Sequence, residues 1–141
     1  IGAGDANFSG LVIEKVTEVA DPVPSTNIYR AVNLNGPALT ASGINFEASS
    51  GALNLEVLGS GFSNQNVALN PATDAASASL IRSSFYGSNG SMKIRFKSVP
   101  NGTYRTYLYV WEDNSSGTYS VTLNNEVVQS NYVSGSAGTW K

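Results

Sequence analysis

The chain lacks the two side chains that most often carry nucleophilic and metal chemistry near neutral pH. Its 141 residues include no cysteine and no histidine. The first absence excludes disulfides, thiol nucleophiles and thiolate metal sites. The second removes the usual general base and the usual zinc or copper ligand. No Asp-x-Asp-x-Asp-Gly loop for calcium occurs either, so we expect a protein without a cofactor or bound metal.

Charge is also scarce. Only 13% of the residues are charged and the formal net charge is −2. The Lys and Arg residues are scattered rather than clustered, which argues against nucleic acid or an anionic membrane as a partner. No apolar run approaches the ~20 residues of a membrane span. The surplus of Ser, Asn, Gly and Thr is typical of secreted bacterial β-proteins, and the start at Ile1 without a signal peptide suggests a processed piece. We expect a secreted or cell-surface location.

Short segments of alternating polarity separated by polar turns fill almost the whole chain. A hairpin is predicted over residues 117–132, with its turn at Asn124-Asn125. Residues 75–86 could suit a helix in their alanine-rich part, but Leu80 to Tyr86 favours a strand. Phe62 falls in a polar loop over residues 59–66. These patterns predict an all-β, antiparallel jelly-roll β-sandwich with no helix longer than about two turns.

The most informative segment follows the turn Pro100-Asn101-Gly102 and alternates strictly. Its first face consists of Tyr104, Thr106, Leu108, Val110 and Glu112, and its second face consists of Arg105, Tyr107, Tyr109 and Trp111. The first face is predicted to be the core face, which would bury Glu112 and pair it with Arg82 or Arg30. The aromatic second face, followed by carboxylates and an amide, suits a polyhydroxylated ligand. The alternative is that this face packs under a loop or a second sheet.

A glycoside hydrolase is not expected. Such an enzyme needs two carboxylates about 5–10 Å apart across one cleft. Glu112 and Asp113 are neighbours on a strand and therefore point to opposite faces. No other carboxylates pair by their positions in the sequence, so the protein is predicted not to be an enzyme.

Four stretches are similar to the malectin-like domains, which are jelly-roll carbohydrate-binding modules. They read YRAVNLNGPAL, IRSSFYG, VPNGTYRTYLYVWED and TYSVTLNNEVV. The resemblance covers residues 28–141, and its best motif is the Gly-Thr-Tyr strand that ends in Glu. It implies a sandwich with a sugar site built from loops at one end.

The resemblance also implies site residues. Phe62 corresponds to an aromatic after the third strand, Tyr86 to the tyrosine before the glycine of SSFYG, and Asp5 to a carboxylate before the closing strand. Two stacking rings of the family are replaced by Asn114 and Ser115, so the strict glucose-disaccharide specificity of the animal lectin is not expected. Trp111 is predicted to replace a lost ring. The predicted carbohydrate-binding residues are Tyr86, Trp111, Asp113, Phe62, Asp5 and Asn114.

The first strand matches the family in an unusual place. Residues 1–16 resemble the strand that closes a malectin-like domain, residues 17–27 read as a linker, and residues 28–141 form the main part. The resemblance therefore implies one of three arrangements: a slice of a tandem array, a permuted domain, or a piece completed by another chain through β-strand addition. Two functions follow: a non-catalytic carbohydrate-binding module, or a structural or adhesive spacer that has no sugar site and completes its fold by strand exchange.

Overall fold

The structure is a computed structural model that describes residues 6–16, 26–87 and 92–141. These residues form an all-β fold with one short α-helix. The strands are β1 Ala6–Val16, β2 Thr26–Asn33, β3 Leu39–Ala41, β4 Ile44–Ala48, β5 Leu55–Leu58, β6 Ser60–Ser63, β7 Ser83–Gly87, β8 Lys93–Phe96, β9 Thr103–Trp111, β10 Thr118–Leu123 and β11 Glu126–Val133, and the helix α1 is Ala75–Ile81. No helix among these residues has the length and apolar character needed to cross a membrane.

The strand β1 lies in the middle of the main sheet. The sheet runs β3-β4-β2-β1-β7-β6, and β9 pairs with β1 on the side away from β2 and β7. Leu11, Val12 and Ile13 are consecutive and all buried. Side chains of consecutive strand residues point to opposite faces, so both faces of the sheet are covered here.

The main sheet is mixed, which corrects the expectation of a purely antiparallel fold. β2 pairs with β4 in parallel, with Val32 opposite Glu47. The chain reverses through the short strand β3, which pairs antiparallel with β4. The turn between them uses Ser42 and Gly43, both with positive φ angles. Because the chain reverses twice after β2, β4 runs in the same direction as β2.

Two boundaries differ from the sequence-based expectation. β2 begins at Thr26, so the predicted linker extends two residues too far, and residues 17–25 lie outside the described part. Leu80 and Ile81 belong to α1 rather than to a strand, and β7 starts only at Ser83. The side chain of Asp74 accepts a hydrogen bond from the Ser77 amide at 2.9 Å and so caps the helix.

Helix α1 covers one face of the sheet, here called the helix face. Its buried cluster consists of Val12, Ala31, Ala41, Phe46 and Leu80, with Tyr109 packed against it. Tyr109 meets Phe46 edge to face, with ring centroids 6.0 Å apart. A Cβ at Gly10 would lie 3.1 Å from the Tyr109 ring, so glycine allows the close approach. The aromatic face of β9 therefore faces the core at this point, but it packs under a helix and not under the loop or second sheet of the alternative prediction.

The two-stranded sheet of β5 and β8 is linked to the opposite face through Arg30. The Arg30 guanidinium lies 5.0 Å from the Phe96 ring centroid and donates to the Leu53 carbonyl at 3.0 Å. It also forms a 2.5 Å ion pair with Glu47. Because the bonded groups come from β2, β4 and the β5–β8 region, one half-buried arginine joins the two sheets.

The strands β10 and β11 form the predicted hairpin around Asn124-Asn125. Tyr119 fixes the base of this hairpin against the first strand, since its ring meets that of Phe8 edge to face at 6.2 Å. After the hairpin, the chain returns to β9. The amides and carbonyls of Val110 and Lys141 exchange hydrogen bonds of 2.9 and 3.0 Å.

Candidate functional site

The start of β1 brings predicted site residues together from three other strands. Asn7 lies opposite Tyr86 of β7 on one side and opposite Trp111 of β9 on the other. Residues directly opposite each other across a sheet share a face, so these three side chains form a row. Asp113 follows Trp111 by two residues, and its carboxylate accepts a 3.0 Å hydrogen bond from the Asn7 amide.

Three aromatic rings form a compact cluster beside this row. The Phe62 and Trp111 rings are stacked, with centroids 5.9 Å apart and planes within 6° of parallel. Tyr86 meets Phe62 edge to face at 5.5 Å. Below them, the Trp111 indole N–H donates a hydrogen bond to the Ser84 hydroxyl. We call Phe62, Tyr86, Trp111 and Asp113, together with Asn7, the ring cluster.

The members of the ring cluster differ in their exposure. Trp111 is only 1% exposed, whereas Phe62, Tyr86 and Asp113 are half-buried. The Trp111 ring, which was predicted to replace a lost stacking ring, is therefore buried. The stacked Phe62 ring and the bond to Ser84 hold Trp111 in the interior, where it supports the rings that remain accessible.

Phe62 also sits on a different element from the one expected. It belongs to the strand β6, where it pairs with Ser84 of β7, and not to a polar loop. Asn35 lies in the loop between β2 and β3, and its side-chain amide donates a 2.9 Å hydrogen bond to the Phe62 carbonyl. A regular strand and a fixed neighbour therefore define the position of this ring.

Glu112 is buried, as predicted, but its partner is not an arginine. It is 2% exposed and accepts a 2.5 Å hydrogen bond from the Ser134 hydroxyl and a 3.1 Å hydrogen bond from the backbone amide of Asn114. Arg82 instead donates a 2.7 Å hydrogen bond to the Val67 carbonyl, and Arg30 forms an ion pair with Glu47. The carboxylate thus fixes the loop after β9 and the end of β11.

The two remaining predicted residues are less informative. Asn114 is exposed, and its side-chain oxygen accepts bonds from the amide and the hydroxyl of Ser115. It follows Asp113 directly, so it lies next to the ring cluster along the chain. Asp5 lies outside the described residues.

A concave surface lies on the other face of β7. Phe85 precedes Tyr86 directly, so the two side chains point to opposite faces of the sheet. Phe85 contributes to a groove of about 380 Å³, and the other lining residues are Asn35, Gly36, Pro37, Ser49, Ser50, Leu55 and Val57. The groove combines one ring and aliphatic side chains with hydroxyl and amide groups, and it contains no charged residue.

The described residues provide no cluster of three or more acidic side chains that could hold a metal ion. Sequence reasoning missed Asn7 and Ser84, which hold Asp113 and Trp111. The only local signal for Asn7 is its position at the start of an apolar strand, where a polar side chain needs a partner if it is buried. No protein-family model, curated protein or solved structure matches the chain.

Proposed function

We propose that the protein is a non-catalytic carbohydrate-binding module with a malectin-like jelly-roll sandwich. One observation carries this proposal. Four of the six residues selected from the sequence, Phe62, Tyr86, Trp111 and Asp113, meet in the ring cluster although they are separated along the chain. The common partner of Tyr86 and Trp111 is Asn7, at the beginning of the strand that the resemblance identifies as the closing strand.

The chemistry of the ring cluster supports a neutral, hydroxyl-rich ligand. The half-buried rings of Phe62 and Tyr86 provide apolar surface for the C–H faces of a sugar. Asp113 and Asn114 provide short, planar hydrogen-bonding groups for its hydroxyls. Trp111 stacks under Phe62 and restricts that ring, so the ring loses less conformational entropy when a ligand binds.

The jelly-roll arrangement and the cellular location are parts of the same proposal. Helix α1 packs on one face of the main sheet, and Arg30 links the β5–β8 pair to the other face. Such layering is compatible with a sandwich. The low charge and the surplus of small polar residues support a secreted or cell-surface protein.

A structural or adhesive spacer is the second candidate function. The burial of Trp111 favours it, because that ring cannot stack on a sugar without displacing Phe62. The groove at Phe85 favours neither function by itself, but it offers a second position at which a saccharide could bind. An experiment must therefore separate three outcomes: binding at the ring cluster, binding in the groove, and no binding.

The test is a glycan and polysaccharide array probed with the wild-type protein and three variants. Tyr86→Ala removes a ring of the cluster, Ser50→Arg obstructs the groove, and Tyr107→Ala removes an exposed tyrosine of β9 as the matched control. The proposal predicts that only Tyr86→Ala loses the signal. Loss in Ser50→Arg alone moves the site to the groove, and the absence of any glycan signal from the wild type favours the spacer.

A further inference from the structure

We propose that the outer edge of β10 pairs with the same edge of a second copy of the chain, which joins the two hairpins into one four-stranded antiparallel sheet. This inference does not depend on sugar binding. It rests on the exposure, the regularity and the charge of the β10–β11 hairpin.

The hairpin exposes an unusual amount of apolar surface. Val127 is 61% exposed, Val128 56% and Val133 60%, and Leu123 on β10 is 48% exposed. Tyr119 and Tyr132 are half-buried at the base of the hairpin. Within the described part of the chain, β10 and β11 pair only with each other. A two-stranded hairpin is marginally stable on its own, and additional strands stabilise it.

The two edges of the hairpin are not equivalent. Both register shifts place an extra residue in β11. At the first shift, Tyr119 and Val121 are two positions apart in the sequence, whereas the residues opposite them are three positions apart. These opposite residues are Tyr132 and Gln129. Asn131 in the same strand has a φ angle of 50°. Bulges of this kind protect an edge strand from further pairing. The edge of β11 is therefore protected, and that of β10 is not.

β10 has none of the features that usually block edge pairing. Its sequence TYSVTL contains no charge, no proline and no glycine. Its β-branched and aromatic residues favour strand structure. The regular, uncharged edge can accept a further strand along its whole length.

Charge and geometry favour a second copy of the chain as the partner that pairs with the outer edge of β10. Whatever the register, pairing two β10 strands brings no charged residues opposite each other. The only charged residue of the hairpin strands is Glu126, next to the turn. Antiparallel pairing places the two turns, and also the two protein bodies, at opposite ends of the shared strands. Six residues span about 20 Å, so the bodies are kept apart, and the interface is closed and isologous.

The test combines sedimentation velocity with hydrogen exchange on the wild-type chain over a wide concentration range. We expect a concentration-dependent dimer and slowed exchange of the β10 amides in the dimer. Ser120→Lys puts two like charges close to the symmetry axis and should raise the dimer dissociation constant by about tenfold or more. Ser130→Lys adds the same charge to the exposed surface of β11 and should change it little.

Three results would overturn the proposal. They are a monomer at every concentration, equal weakening by Ser120→Lys and Ser130→Lys, or dimer-dependent protection on β9 rather than β10. Thr122→Lys repeats the test at a second exposed position of β10. Circular dichroism of each variant establishes that it is folded.

Discussion

The amide of Asn7 donates a 3.0 Å hydrogen bond to the carboxylate of Asp113, across 106 positions of the chain. Asn7 is only 2% exposed. This bond links the first residues of the central strand to the loop after β9. It therefore connects the start of the fold to the proposed sugar site.

Replacement of Asn7 by alanine should destabilise the protein. The change leaves the half-buried carboxylate of Asp113 without its partner, and the loss of a hydrogen bond to a charged group costs about 1.5–3 kcal/mol. Urea unfolding of Asn7→Ala, Asp113→Ala and the double variant gives the coupling energy. Asn66→Ala at an exposed loop position is the matched control. Additive effects of the two substitutions would show that the bond contributes nothing.

Trp111 should behave as a core residue. Trp111→Ala is expected to cost about 3–5 kcal/mol of unfolding free energy, because it leaves a large cavity beneath Phe62. In a Trp140→Phe background, the remaining indole fluorescence should resist acrylamide quenching, and a bound glycan should not change the quenching constant. Efficient quenching of that fluorescence would show that Trp111 is exposed.

The alternating segments predicted much of the β-structure because side-chain period identifies strands directly. The hairpin around Asn124-Asn125 and the strand β9 after Pro100-Asn101-Gly102 illustrate this. Alternation could not show which face of β9 is buried. Val110, Trp111 and Glu112 are consecutive, and all three are buried, because both faces of the sheet are covered at that end.

The helix and the parallel pair depended on contacts that local patterns do not encode. Leu80 and Ile81 read as strand residues, but α1 buries them against the sheet. The capping pair Asp74 and Ser77 was the available helix signal. Ser134, which bonds to Glu112, and Asp113, which bonds to Asn7, lie 22 and 106 positions from their partners, so only the fold identifies these pairs.

The N-terminus of α1 should depend on Asp74. Hydrogen bonds from the Ser77 amide and hydroxyl lower the pKa of the Asp74 carboxyl. Because the folded-state pKa is lowered, the ionised carboxyl stabilises the fold at pH values above the ordinary aspartate pKa range. This stabilisation is lost as the pH falls through the folded-state pKa. Asp74→Ala should therefore lower the thermal midpoint at pH 7 more than at pH 2.5. Asp74→Asn keeps a capping oxygen and should lose less. An equal loss for both variants at both pH values would contradict the capping role.

Tyr119 should limit stability in alkali. Its hydroxyl is buried without a partner among the described residues, and burial, followed by the nearby Tyr132 and Glu112, raises its pKa. A raised folded-state pKa leaves stability intact below about pH 10 and reduces it as the pH rises further. Tyr119→Phe should be neutral or slightly stabilising at pH 8 and should weaken the alkaline loss. Urea unfolding at pH 8 and pH 11 measures both effects, and strong destabilisation at pH 8 would reveal a partner for the hydroxyl.

Calorimetric titration of the best array glycan into wild-type protein, Tyr86→Ala and Tyr107→Ala tests the central claim most directly. Open, pre-formed sites give weak sugar affinities, on the order of 10–1000 μM. We predict binding in that range for the wild type and for Tyr107→Ala, and at least about tenfold weaker binding for folded Tyr86→Ala. Equal affinity of all three proteins would contradict the assignment of the site to the ring cluster.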